Sequence, residues 1–325
     1  MEFGISIPTC REGMDMAPGT VKPDDIIRLM KAAEDFGFDS AWGVDHITPS
    51  NRIRNLYDIV PNFYEVITTL TYCAAITKSI KIATGVVVMP LREPILLAKQ
   101  LSTLDALSGG RVIMGLGLGN NREEFQMLYP RKVNWHRGEM LDESLEIFSA
   151  LLNNEVSTYD GVYFGFTDVI LSPKPVQNPF PIYLSGRSSK TIERAAKFGT
   201  GLLVYSPTSE ILREQIVKLE NAAINEKRKI KEFDIVVSTT LSLGKTKEDA
   251  IRKFQQSFTG KRDGAASDID VIFNRNLIGT KEDIIERLGE LEEAGLKHCA
   301  IVGVSSDSID DQINQWEQFA SDIIP

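Results

Sequence analysis

The sequence predicts an α/β protein folded as a (β/α)8 barrel, or TIM barrel, with insertions. Eight short apolar segments, several of them rich in β-branched residues, alternate with longer segments of helical periodicity along the 325 residues. Eight strand–helix units with no linker between them match a single closed barrel over residues 1–325. An open, doubly wound sheet is the alternative arrangement of the same units.

Each predicted strand is followed by a predicted helix. The strands are 3–8, 40–44, 80–88, 111–118, 181–185, 201–205, 235–243 and 298–304. The helices are 23–37, 63–77, 94–107, 136–152, 190–198, 210–229, 247–258, 281–295 and 309–323. In the first helix, Pro23 suits the first turn, apolar residues repeat with the helical period, and Gly37 ends the helix.

Two segments depart from this alternation. Residues 156–179 contain Tyr, Gly, Phe and three prolines without a helical period, which predicts a hairpin insertion, at about 155–180, that ends in a proline-rich connection. Residues 261–276, between the seventh and eighth strands, are polar and aperiodic. This stretch, within about 259–277, is a candidate mobile loop and lid over the barrel mouth.

The composition and charge argue against several classes of protein. The 36 Lys and Arg against 45 Asp and Glu give a net charge of −9, which argues against a nucleic-acid partner. No apolar stretch is long enough for a membrane span, and the N-terminus does not read as a signal peptide. The widely spaced Cys10, Cys73 and Cys299 indicate reduced thiols in a cytoplasmic protein, and three histidines argue against a metal site.

In a barrel of this kind the active site lies at the C-terminal ends of the strands. Asp45 and His46 follow the second predicted strand. A histidine beside a carboxylate can act as a general acid or base near neutral pH. A buried, purely structural hydrogen-bonded pair is an equally weighted interpretation of the same two residues.

The clearest local signal for a ligand lies after the fifth predicted strand. Ser185, Gly186, Arg187, Ser188 and Ser189 stand between this strand and the start of a helix. Free amide groups at a helix N-terminus, hydroxyl groups and a guanidinium together suit a phosphate. Ordinary N-capping by Ser188 or Ser189 is the alternative.

The glycine-rich run at 115–119 does not fit a dinucleotide-binding motif. The third glycine that this motif requires is replaced by Asn120 or Arg122, depending on where the count begins. The run also lies in the middle of the chain. We interpret it as a strand end where the backbone closely approaches a flat ligand, with simple packing of small residues at the rim as the alternative.

Three stretches taken together resemble the bacterial luciferase-like monooxygenase family. They are SAWGVDH at 40–46, ATGVVVMP at 83–90 and LAKQLSTLDALSGGRV at 97–112. The resemblance continues in order over nearly the whole chain. It implies a luciferase-like TIM barrel that binds reduced FMN or coenzyme F420 at its C-terminal mouth.

The resemblance also implies roles for individual residues. His46 and Asp45 match the histidine and acid beside the cofactor, with the histidine handling protons in F420-dependent members. Many members have a non-prolyl cis peptide behind the cofactor ring, and Gly85–Val86 is the matching bond. The implied cofactor-binding residues are Gly85, Val86, Asn120, Asn121, Ser185, Gly186, Arg187, Ser188 and Ser189.

The function that the resemblance implies is oxidoreduction of a small organic substrate. The first expectation is monooxygenation with O2 and reduced FMN, which a separate flavin reductase supplies; the F420-dependent variant transfers a hydride instead. A non-catalytic flavin-binding protein of the same fold is the alternative, and a homodimer is expected from the family. Leu118 replaces the arginine of luciferase, and Ser50 or a neighbour replaces a tryptophan of some F420 enzymes, so both cofactors remain open.

An unrelated phosphate-binding barrel, such as an aldolase, is a further alternative. Barrel aldolases commonly use a Schiff-base lysine at a strand end, and none of the predicted strand ends carries an obvious inward lysine. This alternative therefore has little support.

Overall fold

Parallel strands close into a barrel in a computed structural model that describes residues 1–263, 269–306 and 308–324. The described strands are β1 (Glu2–Ile7), β2 (Ser40–Gly43), β3 (Lys81–Val88), β4 (Val112–Gly117), β5 (Ser157–Asp160), β6 (Gly165–Val169), β7 (Ile182–Ser185), β8 (Gly201–Tyr205), β9 (Asp234–Leu243), β10 (Leu277–Gly279) and β11 (His298–Val304). Neighbours pair in the order β1-β2-β3-β4-β7-β8-β9-β11, and β11 pairs with β1. The predicted (β/α)8 barrel is confirmed, and the open sheet is excluded.

Helices surround the barrel and connect successive strands. The described helices are α1 (Pro23–Asp35), α2 (Asn51–Leu56), α3 (Val66–Ala75), α4 (Pro94–Ser108), α5 (Arg122–Leu128), α6 (Arg137–Asn153), α7 (Ser189–Phe198), α8 (Ser209–Asn225), α9 (Lys247–Gln256), α10 (Phe258–Asp263), α11 (Ile269–Phe273), α12 (Lys281–Glu293) and α13 (Ile309–Ile323). Local sequence sets several of their ends: Thr280 and Asp283 form a capping box at α12, and α4 ends at Gly109, whose φ is +73°.

Alternation of side chains along the strands creates two apolar layers. One face of each strand packs against the helices; Ile5 and Ile7 of β1 belong to this layer. The other face fills the inside of the barrel with Trp42, Ala83, Ile113, Tyr183, Leu203, Val236, Ala300 and Val302. Gly115 is required here, because a Cβ at that position would lie 2.1 Å from the carbonyl oxygen of Thr84. This close approach at Gly115 is therefore between two strands, which is the packing interpretation of the glycine-rich run.

Two predicted irregular segments have regular structure in part. The hairpin region contains β5 and β6, which pair antiparallel, and the proline-rich connection after them contains cis peptide bonds before Pro173 and Pro179. Residues 261–276, predicted as an irregular polar loop, contain helical structure in their described part, namely the end of α10 and α11. The strand β10, which follows them, extends the sheet at β9. Residues 264–268 of the candidate lid lie outside the described residues.

A buried polar group lies at the N-terminal end of the barrel. Nε2 of His298, on β11, is 2.8 Å from Oγ of Ser40, which also accepts a hydrogen bond from the indole of Trp42. Nδ1 of His298 lies 3.4 Å from a carboxylate oxygen of Glu2. Burial lowers the pKa of His298 from 6.5 to about 4, because the charged imidazolium would lose its hydration inside the barrel.

The pKa of His298 makes the stability of the barrel depend on pH. Its pKa is lower in the folded chain, so the unfolded chain binds more protons between pH 6.5 and 4 and the contribution to stability is lost as the pH falls. The wild-type chain loses free energy of unfolding when the pH is lowered from 7.5 to 5. We expect this loss to be about 2 kcal/mol smaller in His298→Gln. Urea denaturation at both pH values measures this difference. His136→Gln, at an exposed histidine, is the control and retains the wild-type loss; an equal loss in His298→Gln would contradict the assignment.

Candidate active site

His46 lies at the C-terminal mouth of the barrel and is held by a residue that sequence reasoning did not select. Its Nδ1 is 2.7 Å from Oε2 of Glu124, in the first turn of α5. The other oxygen of Glu124 accepts hydrogen bonds from the backbone amides of Ile47 (2.7 Å) and Thr48 (3.2 Å). One carboxylate therefore fixes both the ring of His46 and the chain that follows it.

Glu124 is an ionised partner for this histidine. Burial by itself raises the pKa of Glu124, but the hydrogen bonds from His46, Ile47 and Thr48 outweigh it, so the pKa lies below the ordinary value of 4.5. Because an ionised carboxylate only accepts hydrogen bonds, Nδ1 of His46 carries the proton. The remaining ring nitrogen, Nε2, has no hydrogen-bond partner among the described residues and is available to a ligand.

A cavity of about 450 Å³ opens beside His46, and we name it the histidine cavity. Its polar side includes His46, Thr48 and both predicted asparagines, Asn120 and Asn121. Asn121 also caps α5 by accepting a hydrogen bond from the amide of Glu124, while Asn120 is exposed. The apolar side is formed by Met14, Ile53, Leu56, Tyr57 and Phe63.

The catalytic role predicted for Asp45 does not fit its position. Asp45 is buried, and its carboxylate forms an ion pair with the guanidinium of Arg92 and accepts a 3.0 Å hydrogen bond from the amide of Val88. Arg92 also reaches Glu65, 2.7 Å away, at the N-terminus of α3. Asp45 therefore connects the end of β2 to the end of β3 instead of facing the cavity. This corresponds to the structural-pair interpretation, although its partner is Arg92 and not His46.

The predicted non-prolyl cis peptide bond is present between Gly85 and Val86, near the end of β3. The pairing of β3 with β4 shifts register at this point. A Cβ added to Gly85 would lie 3.1 Å from the ring of Trp42, and one added to Gly117 would lie 3.3 Å from the side chain of Val86. The bond is therefore packed between Trp42 and Gly117, and both glycines leave little room for a side chain.

A second cavity of about 340 Å³ also borders the connection between β4 and α5, and we name it the arginine cavity. Its lining carries Arg122, Arg137 and Lys190, together with Ser188 at the start of α7. Burial lowers the pKa of Arg137, and the neighbouring Arg122 lowers it further. Like charges thus face each other here, which is the environment that an anionic group would stabilise.

The predicted phosphate loop is only partly at this cavity. Ser188 lines the arginine cavity and also caps α7, accepting a hydrogen bond from the amide of Thr191 (3.2 Å). Ser189 is the first residue of α7, Ser185 is the last residue of β7, and Gly186 follows it. Arg187 is exposed and is not among the described residues that line the arginine cavity. The cations that line it are supplied by α5, α6 and α7 instead.

Comparison with known proteins identifies the family. A family model described as luciferase-like monooxygenase matches residues 1–322, which is almost the entire chain. The chain belongs to the luciferase-like monooxygenase family. A 5,10-methylenetetrahydromethanopterin reductase from Methanopyrus kandleri is 27% identical over 294 residues, covering 86% of this chain and 78% of the relative.

Solved structures of the luciferase-like fold superpose on the entire chain. An F420-dependent secondary alcohol dehydrogenase, in complex with an F420–acetone adduct, has a TM-score of 0.80 at 20% identity and covers 100% of this chain and 99% of its own. The monooxygenase RslO1 from Streptomyces bottropensis has a TM-score of 0.82 at 22% identity with the same coverage. At these identities the superpositions establish a shared luciferase-like fold. None of the described helices has the length and apolar character needed to cross a membrane.

The ion pair of Asp45 with Arg92 predicts a large stability effect in this luciferase-like barrel. Arg92→Met leaves a buried carboxylate without its counter-charge, so we expect a loss of about 3–5 kcal/mol in the free energy of unfolding. Urea denaturation measures the loss. The double variant Asp45→Asn/Arg92→Met removes both charges and should recover much of it, while Arg131→Gln at an exposed arginine is the control. A loss below about 1 kcal/mol would contradict the structural importance of this pair.

Proposed function

We propose that this protein is an oxidoreductase that binds F420 or FMN at the C-terminal mouth of its barrel and uses His46 for proton transfer with an organic substrate. The observation that carries the proposal is the His46–Glu124 pair, with a protonated Nδ1 and an Nε2 available to a ligand. This is the arrangement of a general acid–base, in which the carboxylate fixes the tautomer and stabilises the imidazolium.

The residues at the barrel mouth fit a phosphorylated tricyclic cofactor. Arg122, Arg137, Lys190 and Ser188 would hold its phosphate in the arginine cavity. The segment around Gly85 and Val86 would lie behind the ring, as the resemblance implies. When bound, F420 exchanges a hydride with a substrate, and reduced FMN reacts with O2.

The remaining chemistry belongs to the chain itself. As an acceptor, Nε2 of His46 can take the proton of a substrate hydroxyl; once protonated, it can donate to a carbonyl oxygen. Glu124 stays ionised and stabilises the charged ring in either direction. The buried Asp45–Arg92 pair fixes the end of β2, and with it His46, relative to the end of β3.

Hydride transfer with F420 is our first choice, because oxidation of an alcohol, or reduction of a carbonyl, requires one proton transfer for each hydride. An acid–base dyad at the cavity satisfies this requirement. FMN-dependent monooxygenation is the second candidate. The apolar wall of the histidine cavity favours it, since it would keep water away from the reacting group.

We also propose a homodimer in the cytoplasm, with a separate flavin reductase as partner if FMN is the cofactor. The buried, free thiols of Cys10, Cys73 and Cys299 support a reducing compartment. Analytical ultracentrifugation of the purified chain measures the oligomeric state directly.

Titration with FMN and F420, in oxidised and reduced forms, tests the cofactor assignment. We expect one of them to bind, and Arg122→Gln to weaken it about tenfold, because a charged contact to phosphate is lost. Binding of riboflavin, or of the phosphate-free deazaflavin, should change little. Arg187→Gln is the matched control, since this arginine lies outside the lining of the arginine cavity. Equal weakening of the phosphorylated and phosphate-free forms by Arg122→Gln would contradict the phosphate site.

The acid–base assignment predicts the effect of removing the imidazole. We expect His46→Ala to lower turnover about 10²–10⁴-fold with little change in cofactor affinity, and Glu124→Gln to lower it less. The assay follows oxidation or reduction of F420 with any small alcohol or ketone that the wild-type chain turns over. Arg131→Gln, at an exposed arginine that lines neither the histidine cavity nor the arginine cavity, is the control. Wild-type turnover in His46→Ala would overturn the assignment, and a cofactor that binds without any turnover would favour the non-catalytic alternative.

A further inference from the structure

We propose that the histidine cavity binds an uncharged organic molecule, with an apolar body and one hydroxyl or carbonyl oxygen placed against Nε2 of His46. The inference rests on the proposed function and names the substrate class of the same site. Three properties of the cavity carry it: the chemistry of its walls, the fixed position of Nε2 of His46, and its balance of charge.

The walls of the cavity divide into an apolar side and a polar side. The apolar side is built largely by the insertion between β2 and α3, with Ile53 and Leu56 on α2 and Tyr57 and Phe63 after it. The ring of Tyr57 lies 5.9 Å from the ring of Phe258 on α10, so a second insertion supports this wall from outside. Contact between an apolar side chain and an apolar ligand is favourable, because both surfaces leave water. Contact with a polar group is unfavourable, because that group loses its hydration without gaining a hydrogen bond.

Three polar atoms of the cavity are used within the protein. Oγ of Ser50 caps α2 by accepting a hydrogen bond from the amide of Ile53 (3.3 Å), and Oδ1 of Asn121 caps α5. Nδ1 of His46 is bound to Glu124, which fixes the imidazole ring. Nε2 of His46 therefore offers a positioned hydrogen-bonding point for one hydroxyl or carbonyl oxygen of a ligand whose remaining surface lies against the apolar side.

The charge of the lining also separates this cavity from the arginine cavity. Arg52 and Glu123, both on the histidine cavity, carry opposite charges. The arginine cavity has an excess of positive charge from Arg122, Arg137 and Lys190. A phosphorylated or carboxylated molecule is therefore matched by the arginine cavity and not by the histidine cavity.

The histidine cavity and the place implied for the cofactor ring are formed by different residues. Neither Gly85 nor Val86 is among the described residues that line the histidine cavity. Its described lining comes instead from segments that follow β1, β2 and β4. A substrate in the cavity and a ring against the Gly85–Val86 bond would thus be neighbours, with His46 on the side of the substrate.

Part of the apolar wall is open to solvent, because Leu56 lines the cavity and is 60% exposed. Ile59 and Val60, on the same insertion, are 60% and 65% exposed. Large exposed apolar side chains that occur together are typical of a binding surface. This insertion therefore favours contact with an apolar molecule.

Binding of small probes tests the proposal. The full chain, saturated with whichever of oxidised FMN or F420 it binds, is titrated with cyclohexanol, cyclohexanone, cyclohexanecarboxylate and glucose 6-phosphate, and affinity is measured by saturation-transfer NMR and calorimetry. We expect the two neutral probes to bind and the two anions to bind at least about tenfold more weakly.

Matched variants locate the bound probe. Leu56→Asp places a charge on the cavity wall at an exposed helix position, and we expect it to weaken cyclohexanol about tenfold. Leu107→Asp, at another exposed leucine on α4, should change nothing. Arg52→Gln should leave the neutral probes unchanged. The proposal would be overturned if either anion bound more tightly than cyclohexanol and this binding were lost in Arg52→Gln. It would also be overturned if cyclohexanol bound wild type and Leu56→Asp with equal affinity.

The same titrations separate this inference from the proposed function. If the cofactor binds wild type and Leu56→Asp equally, and the affinity of the neutral probes is also unchanged in Leu56→Asp, only the substrate class is wrong. If neither FMN nor F420 binds, the proposed function fails, and the probe titrations on the chain alone still decide whether the cavity selects neutral molecules.

Discussion

The buried carboxylate of Glu124 is the interaction on which the geometry of the site depends. Through one oxygen it holds Nδ1 of His46, and through the other it holds the backbone amides of Ile47 and Thr48. It thereby joins the end of β2 to the helix that follows β4, although these strands are separated in the barrel by β3. Closure of the barrel makes this possible, because all eight parallel strands end at the same rim. Asp45 and Arg92 add a second ionic connection, between β2 and the intervening strand β3.

The two cavities that border the connection between β4 and α5 differ in charge. The histidine cavity combines an apolar wall with the His46–Glu124 pair and balanced charge. The arginine cavity has positive charges that repel each other. An anionic group is therefore stabilised in the arginine cavity and an apolar one in the histidine cavity, and this difference supports the proposed placing of the cofactor phosphate and of the substrate.

The sequence predicted the architecture well because the barrel strands and their helices have strong local signals. Apolar runs with β-branched residues, and helices ended by glycine or capped by threonine, need no distant partner to be recognised. Elements whose signal is weak were missed: α2 and α5 are six and seven residues long, and α11 is shorter still. The strand ends led correctly to the mouth of the barrel, but adjacency in sequence suggested that Asp45 was the partner of His46. Successive residues of an extended chain point in opposite directions, so Asp45 points into the wall. Glu124, 78 positions after His46, supplies the carboxylate. Arg122, Arg137 and Lys190, which line the arginine cavity, were not selected for the same reason, since they converge only after folding.

Two insertions carry the parts of the site that the barrel itself does not supply. The segment between β2 and α3 provides α2 and Tyr57, and the segment after β9 provides α10 and Phe258, whose ring contacts Tyr57. A longer surface connection lowers the free energy of unfolding only a little, because the entropic cost of loop closure grows slowly with loop length. Changes in α2 or α10 can therefore alter the apolar wall while leaving unchanged the pairs His46–Glu124 and Asp45–Arg92, whose residues lie outside these helices. In this chain the choice of substrate is thus physically separable from the chemistry performed on it.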